Sequence, residues 1–308
     1  VAALAVVACG GGTPRDGAPE AGGTLHVAIL ETLGHLSPVE PLDRIPLEFL
    51  DHVTPPLGWV DPQGEVRPRA ASGWRERHNV WDFFVTDLRW EDGAAVVPQD
   101  FVLTWEVTQD PSVRASWSGR FDFVHDVRAV DDTTLRITWN HLPPNRYRAA
   151  MLHPLPTHRL GAQPDVRDYR QWPITRLPLS CGPFRVSRST GSRLVLARNE
   201  DWARKPTRLD TVEVLTFREQ DAVQALRRGD VDVIDDVSTH GLNGLRGIDG
   251  LHTFAVVGRS YTFLAWNLAD ARARERSVRW AAAQAVDVDQ LIESTTLGQG
   301  EPARGPLL

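Results

Sequence analysis

The sequence predicts an α/β fold, and three observations carry that expectation. Short apolar runs of strand character recur from Thr24 to Leu268. Helical periodicity stands between several of them. Over residues 211–234 the order is strand, helix, short strand, which is the order of an α/β unit with a parallel pairing. The chain has 308 residues, about two domains' worth at roughly 150 residues each, enough to bury a sizeable core. Apolar residues make up 42% and charged residues 24%, shares that argue against a disordered chain, a collagen and a coiled coil. No run of about 18 apolar residues is present, so nothing in the sequence as given spans a bilayer as a helix. A formal net charge of −6 argues against a general nucleic-acid surface. Two cysteines are too few for a disulfide scaffold, and 24 glycines with 22 prolines suit a loop-rich protein of many short elements.

Residues 1–8 are small and apolar, and Cys9 is followed by three glycines. The run Val6-Val7-Ala8-Cys9 resembles a bacterial lipobox at the end of a secretory signal. That resemblance implies cleavage before Cys9 and a lipid anchor on its thiol. Acyl chains contribute about 0.8 kcal/mol per buried methylene, so two or three of them hold firmly. Such signals begin with a charged segment, and none is seen here, so the sequence is expected to start inside its signal. Residues 10–22 read as a flexible Gly/Pro/Ala tether. With Cys9 lipidated, Cys181 has no partner, and no disulfide is expected.

The elements follow in order. Thr24–Leu30 (TLHVAIL) opens with the alternation of a strand. From Ser37 to Pro68 the chain is dominated by loops, with one short helix near Leu47–His52. Val80–Val85 and Thr134–Asn140 read as strands. Between them, Gln99 or Asp100 is expected to cap a helix reaching about Gln109, with Pro98 just before it and Asp110-Pro111 ending it. The proline-punctuated stretch from Pro143 to Pro183 reads mostly as loop. Arg193–Arg198 and Thr211–Thr216 are expected strands. Gln220–Arg228 is helical and stops at Gly229, and Val231–Ile234 is a short strand. Tyr261–Leu268 (YTFLAWNL) reads as a further strand. Ser277–Ala285 is helical, and Asp287 is expected to cap a last helix ending near Gly298.

Eight of these segments, taken in order, resemble the extracellular solute-binding proteins of family 5, the dipeptide, oligopeptide and nickel-binding group of ABC importers. They are GGTLHVA (22–28), PRAASGW (68–74), LRWEDGAAVVPQDFVLTWE (88–106), VDDTTLRITW (130–139), CGPFRV (181–186), LARNEDWARKPTRLDTVEV (196–214), ALRRGDVDVID (225–235) and SVRWAAAQAVDVDQLI (277–292). The chain departs from the family pattern in places. Ala94 replaces the usual Pro, Pro98-Gln99 replaces the usual Thr-Ala, and Cys181 stands where the family has Thr or another small residue. Family members also run longer, so the chain is expected to be a C-terminally truncated piece.

The resemblance implies a bilobal periplasmic-binding-protein-like fold of type II with an inserted subdomain and an incomplete second lobe. On that expectation, residues 1–22 are signal remnant and tether. Residues 23–50 and 170–258 form lobe 1, residues 51–169 form the inserted subdomain, and residues 259–308 begin lobe 2. Hinge closure on ligand is a recognised motion of such proteins. The implied function is capture of peptides, or a related small solute, outside the cytoplasmic membrane and delivery to an ABC permease and ATPase complex. The protein is expected to be a lipid-anchored monomer without cofactor, located in the periplasm or on the outer face of the cytoplasmic membrane. An oligosaccharide- or metal-complex-binding member of the family, or an extracellular enzyme or sensor on the same scaffold, is the alternative.

Candidate ligand residues follow from chemistry and position. Glu31, just after the first strand, offers a carboxylate to a ligand amide or amine. Trp117 offers a stacking face, and Trp266 does the same near the crossing to lobe 2. Asn267 can donate to a ligand carbonyl or tie the hinge backbone. Cys181 is a small residue for a cleft wall, or an inert buried thiol. For catalysis, no GxSxG, HExxH, CxxC or Walker pattern is present. His153 and His158 stand five apart around two prolines, which matches no common metal spacing.

Overall fold

A computed structural model describes residues 3–8, 21–34, 36–39, 44–61, 65–115, 118–142, 150–161, 164–175, 177–202, 204, 207–245, 247, 250–256, 262–296 and 300–303. The strands are β1 (Ala3–Ala8), β2 (Thr24–Ile29), β3 (Gly58–Val60), β4 (Val66–Pro68), β5 (Ala71–Arg77), β6 (Val80–Val85), β7 (Val124–Ala129), β8 (Thr134–Trp139), β9 (Phe184–Thr190), β10 (Arg193–Arg198), β11 (Thr211–Thr216), β12 (Val233–Ile234) and β13 (Leu251–Val256). The helices are α1 (Arg44–Val53), α2 (Pro98–Gln109), α3 (Glu219–Arg228), α4 (Thr239–Leu245), α5 (Ala271–Arg274), α6 (Arg276–Ala285) and α7 (Val288–Thr296). The chain divides into two compact units. The larger comprises Ala18–Thr24 and Glu31–Val214; the smaller comprises Val1–Gly17, Leu25–Leu30 and Leu215–Leu308.

The larger unit is built on an antiparallel sheet in the order β5-β6-β8-β7. Side chains alternate across a strand, and β8 follows that rule: Leu135, Ile137 and Trp139 turn inward while their neighbours are only partly buried. The register sets Trp81 opposite Ile137 and Phe83 opposite Leu135, so both strands contribute to one apolar layer. Trp81 and Trp139 meet edge to face at 5.7 Å, the arrangement favoured by the ring quadrupoles. Helix α2 lies against β7 and β8 and buries Phe101, Val102, Leu103 and Val107. On β6, Asp82 is also buried. Arg136, its cross-strand neighbour, donates to it from Nε at 2.6 Å and from Nη2 at 3.0 Å. Arg77 adds a third bond at 2.8 Å.

Helix α2 differs from the expectation at its first turn. Neither Gln99 nor Asp100 is the cap; Val97 is, with Pro98 as the first helical residue. Proline suits that place because its missing N–H is not needed there. Asp100 acts from inside the helix, accepting the Val97 N–H at 3.0 Å, the reaching-back half of a capping box. The helix ends at Asp110 in extended conformation, as Asp110-Pro111 predicts.

In the smaller unit, β12 pairs in parallel with β2, Val233 facing Val27 and Ile234 facing Ala28. The parallel partner of β12 is thus β2, not the strand over Thr211–Thr216 that the order of elements suggests. Helix α3 stops at Gly229, which takes a φ of 75°. That left-handed position costs a glycine nothing. The apolar face of α3, Ala222, Val223, Ala225 and Leu226, packs with Ala28, Val231 and Ile234. Residues 3–8, read in the sequence as the tail of a signal, form β1. It is antiparallel to β13 over its whole length and to β12 at Val6 and Val7.

Residues 262–267 form no strand, contrary to the strand expected over Tyr261–Leu268, of which Tyr261 lies outside the described residues. A strand needs a neighbour to take its backbone hydrogen bonds, and apolar character alone supplies none. Helix α7 has the expected cap, Asp287 Oδ1 accepting the Gln290 N–H at 2.9 Å; the short helix α5, which the sequence pattern does not signal, is capped by Asp270, which accepts from Arg272 and Ala273. No helix among the described residues is long and apolar enough to cross a membrane.

Candidate functional site

The candidate ligand residues fall in both units. Glu31 is the first residue of the larger unit after β2 and is solvent-exposed. Cys181 is in the core of the larger unit, and burial drives its thiol pKa well up, assisted by the charges of Asp100 and Glu91. That side chain faces packing atoms, as an inert thiol does. Trp266 and Asn267 belong to the smaller unit, and Trp266 is exposed. Asn267 organises a turn: its Oδ1 accepts the Ala269 N–H at 3.0 Å and its carbonyl accepts the Asp270 N–H at 3.1 Å. Trp117 and Cys9 lie outside the described residues.

Sequence reasoning missed a junction in the larger unit where the Cys181 motif meets α1. The last carbonyls of a helix lack intrahelical donors. Here Val53 O accepts from Cys181 N at 3.0 Å, Gly182 N at 2.8 Å and Ser180 Oγ at 2.9 Å. Asn199 locks the same loop, donating from Nδ2 to Gly182 O at 2.8 Å and from its backbone to Pro183 O at 2.9 Å. Gly182 is required by close approach: a Cβ there would stand 2.8 Å from Val53 O and nearer still to His52 O. The small residues of CGPF are thus explained by backbone packing. His153, fully buried, belongs to the same junction, with Nδ1 2.5 Å from Thr54 O and Nε2 3.3 Å from Asp51 Oδ1. A carbonyl only accepts, so Nδ1 is the donor. The Gly182 contact with two carbonyls leaves no trace in a single sequence beyond the glycine itself.

A second node explains the RWEDG stretch. Asp100 is completely buried and accepts from Trp90 Nε1 at 3.0 Å, Val97 N at 3.0 Å, Thr157 N at 3.0 Å and Thr157 Oγ1 at 2.5 Å. Loss of solvent nevertheless raises its pKa, outweighing the opposing pull of those donors. Nearby, His158 Nε2 meets Asp92 at 2.9 Å. Together these bonds fasten residue 157 to the first turn of α2 and residue 158 to the turn before it.

Two small concavities are described in the larger unit. One of about 50 Å³ is lined by Asp87, Leu88, Arg89, Asn199, Asp201 and Trp202. One of about 10 Å³ lies among Pro38, Thr54, Leu155 and neighbouring prolines. Ligand pockets measure about 300–1,000 Å³, so neither holds a peptide. Among the described residues, no group of three His, Cys, Asp or Glu side chains is placed to hold a metal. What the larger unit supplies is a rigid frame whose loops are fixed by buried hydrogen bonds.

Comparison with known proteins places that frame. The family model described as bacterial extracellular solute-binding proteins, family 5 Middle, matches residues 65–308. Oligopeptide-binding protein AppA of Bacillus subtilis (strain 168) is 23% identical over 224 residues, 71% of this chain and 41% of AppA. The nickel-binding periplasmic protein of Escherichia coli (strain K12) is 26% identical over 264 residues, 80% of this chain and 49% of that protein. The chain thus spans about half the length of the curated relatives it matches. The solved structure of B. subtilis AppA in complex with a nonapeptide aligns with a TM-score of 0.83 at 21% identity, covering 93% of this chain and 58% of that one. NikZ from Campylobacter jejuni in complex with Ni(L-His) aligns with a TM-score of 0.82 at 20% identity, covering 92% and 57%. The fold is accordingly the mixed α/β fold of the periplasmic binding proteins, incompletely covered. By the match over residues 65–308, the chain belongs to the bacterial extracellular solute-binding proteins of family 5.

Proposed function

We propose that this chain is part of the substrate-binding protein of an ABC importer. It captures peptides outside the cytoplasmic membrane and passes them to a permease driven by an ATPase. The observation that carries this reading is the family match over residues 65–308. The peptide assignment draws on AppA, solved with a nonapeptide, and on DppA from Helicobacter pylori, an ABC transporter-associated periplasmic binding protein solved with the peptide STSA. In this reading no bond is made or broken. Ligand shifts the population toward a closed form, and the protein acts as a monomer. Glu31, Trp117, Trp266 and Asn267 contact the solute, and Cys181 backs the wall of the site from within the core. Cys9 carries the lipid anchor, which holds the protein in the periplasm or at the outer face of the cytoplasmic membrane.

The test is a thermal-shift screen of the full-length protein against di- and oligopeptides, oligosaccharides and nickel complexes. Binding at a hundredfold excess over Kd stabilises by about 2.7 kcal/mol, so a peptide ligand gives a clear rise in Tm. Stabilisation by nickel complexes or sugars, with none by peptides, overturns the peptide assignment while leaving the binding role intact. Turnover of the bound solute overturns the role itself. Mass spectrometry of the protein purified from its membrane checks the anchor: a diacylglyceryl group on Cys9 supports it, and an unmodified Cys9 removes it.

A further inference from the structure

Two guanidinium groups in the larger unit are held on one backbone frame without a carboxylate. Thr86, just past β6, is the pivot: its N–H and its Oγ1 both donate to Ala70 O, at 2.9 and 2.8 Å. Arg204 Nη2 donates to that same Oγ1 at 2.9 Å. Arg69, the neighbour of Ala70, is fixed by its backbone N–H to Leu57 O at 3.0 Å. Its Nη2 reaches the end of α1, where it donates to Asp51 O at 3.3 Å, next to His52. Both arginines are half-buried. Among the described residues, neither makes an ion pair. The Asp51 carboxylate is turned to His153, and Asp87 and Asp201, which line the neighbouring small concavity, pair with neither guanidinium.

The groups feel one another. Loss of solvent and then the Arg69 charge hold Arg204 below its usual pKa. The same two causes, in the same order, lower His52, with Asp51 pulling the other way. Partly desolvated like charges are unfavourable unless a counter-charge completes them. Guanidinium forks match the oxygens of carboxylates and phosphates. We propose that Arg69 and Arg204, with His52 beside them, form an oxyanion site that takes the carboxylate or phosphate group of a small solute. The site needs only the larger unit, so it stands or falls apart from the peptide reading.

Titration of the full-length protein tests it, with inorganic phosphate in one arm and acetate in the other, at ionic strength held constant with chloride. The readouts are the arginine Nε–Hε NMR signals and Tm. The expected result is a saturable shift of the Arg69 and Arg204 signals, with Tm rising by about 2–4 °C once the anion is several-fold above its Kd. Saturation by phosphate alone marks a phosphate-bearing solute, and saturation by acetate as well marks a carboxylate. Arg69→Gln and Arg204→Gln each weaken the response about tenfold or more, the loss of one charge-assisted bond. Arg69→Gln stands as the independent variant should Arg204→Gln not fold. Shifts that stay linear in both arms, or a variant that responds as the wild type does, overturn the proposal.

Discussion

The tryptophans of the larger unit's sheet core and those of the smaller unit have opposite fates, although Trp59 of the larger unit is also exposed. In the larger unit Trp81 is 0% exposed, Trp90 1% and Trp139 2%; in the smaller unit Trp266 is 41% exposed and Trp280 56%. Nothing in the side chain explains this. The larger unit offers an inward sheet face, a helix laid over it and a buried carboxylate for the Trp90 indole N–H. In the smaller unit α6 has an apolar stripe yet buries no residue, and Phe263 and Leu264 before it are also exposed. An apolar pattern is thus an offer of contact. Burial, and the stability it brings, depend on a second surface to accept it.

The comparison can be broken or sharpened by mutation, with stability read from urea denaturation of the full-length protein. Trp139→Ala is expected to have the largest effect, a loss of about 3–5 kcal/mol, because it empties a packed site. A loss under about 1 kcal/mol there would mean that the sheet core is far looser than its packing implies. Asp82→Asn comes next, at about 2–3 kcal/mol near neutral pH, since it removes the charge from three hydrogen bonds to arginine. Its effect also has a sign in pH. The Arg136 bonds, and to a lesser degree Arg77, hold the Asp82 pKa below the usual carboxylate value against the cost of burial. Its contribution is therefore present above about pH 4 and lost as pH falls through the lower folded pKa. The wild-type and Asp82→Asn stabilities should converge in acid. Asp100 runs the other way. Its pKa is raised, so its contribution is largest below the ordinary carboxylate pKa and declines as pH rises through the folded value.

In the exposed segment the expected effects are small. Asp270→Ala removes the cap of α5 and loosens its first turn, detectable as faster amide exchange at Arg272 and Ala273. Trp280→Ala is expected within about 0.5 kcal/mol of the wild type. A loss comparable to that of Trp139→Ala would show that α6 has a partner surface in the full-length protein. The same substitution measured with and without ligand then tells whether that partner is assembled by binding.

Much of the fold was legible from local pattern. The alternation in TLRITW places Leu135, Ile137 and Trp139 on one face wherever the strand lies. The glycine after ALRR marks the end of α3, and Asp287 marks the start of α7, because caps and left-handed turns depend on one or two residues. The misreadings share a cause. The sequence offers Asp100 as a possible cap, but it stands in the first turn of the helix and closes the turn backward, a role that depends on Pro98 taking the first position. The composition of 261–268 predicts a strand, yet pairing is decided by a neighbour far along the chain. The candidate site was legible mainly as motifs. CGPF and RWEDG were recognisable, but the reason for their residues is a set of tertiary hydrogen bonds, Val53 O to the loop at 180–182 and Asp100 to Trp90 and Thr157.

The sequence by itself determined the α/β class, most element positions and the family, since all three depend on residue order and on periods of two or about 3.6 residues. Only the tertiary structure decided which tryptophans are core, why residue 182 has no room for a side chain, and which arginines, among the described residues, make no ion pair. Those properties depend on distances between residues such as Arg204 and Thr86, or Gly182 and Val53, and such distances are set by packing between segments remote in the chain.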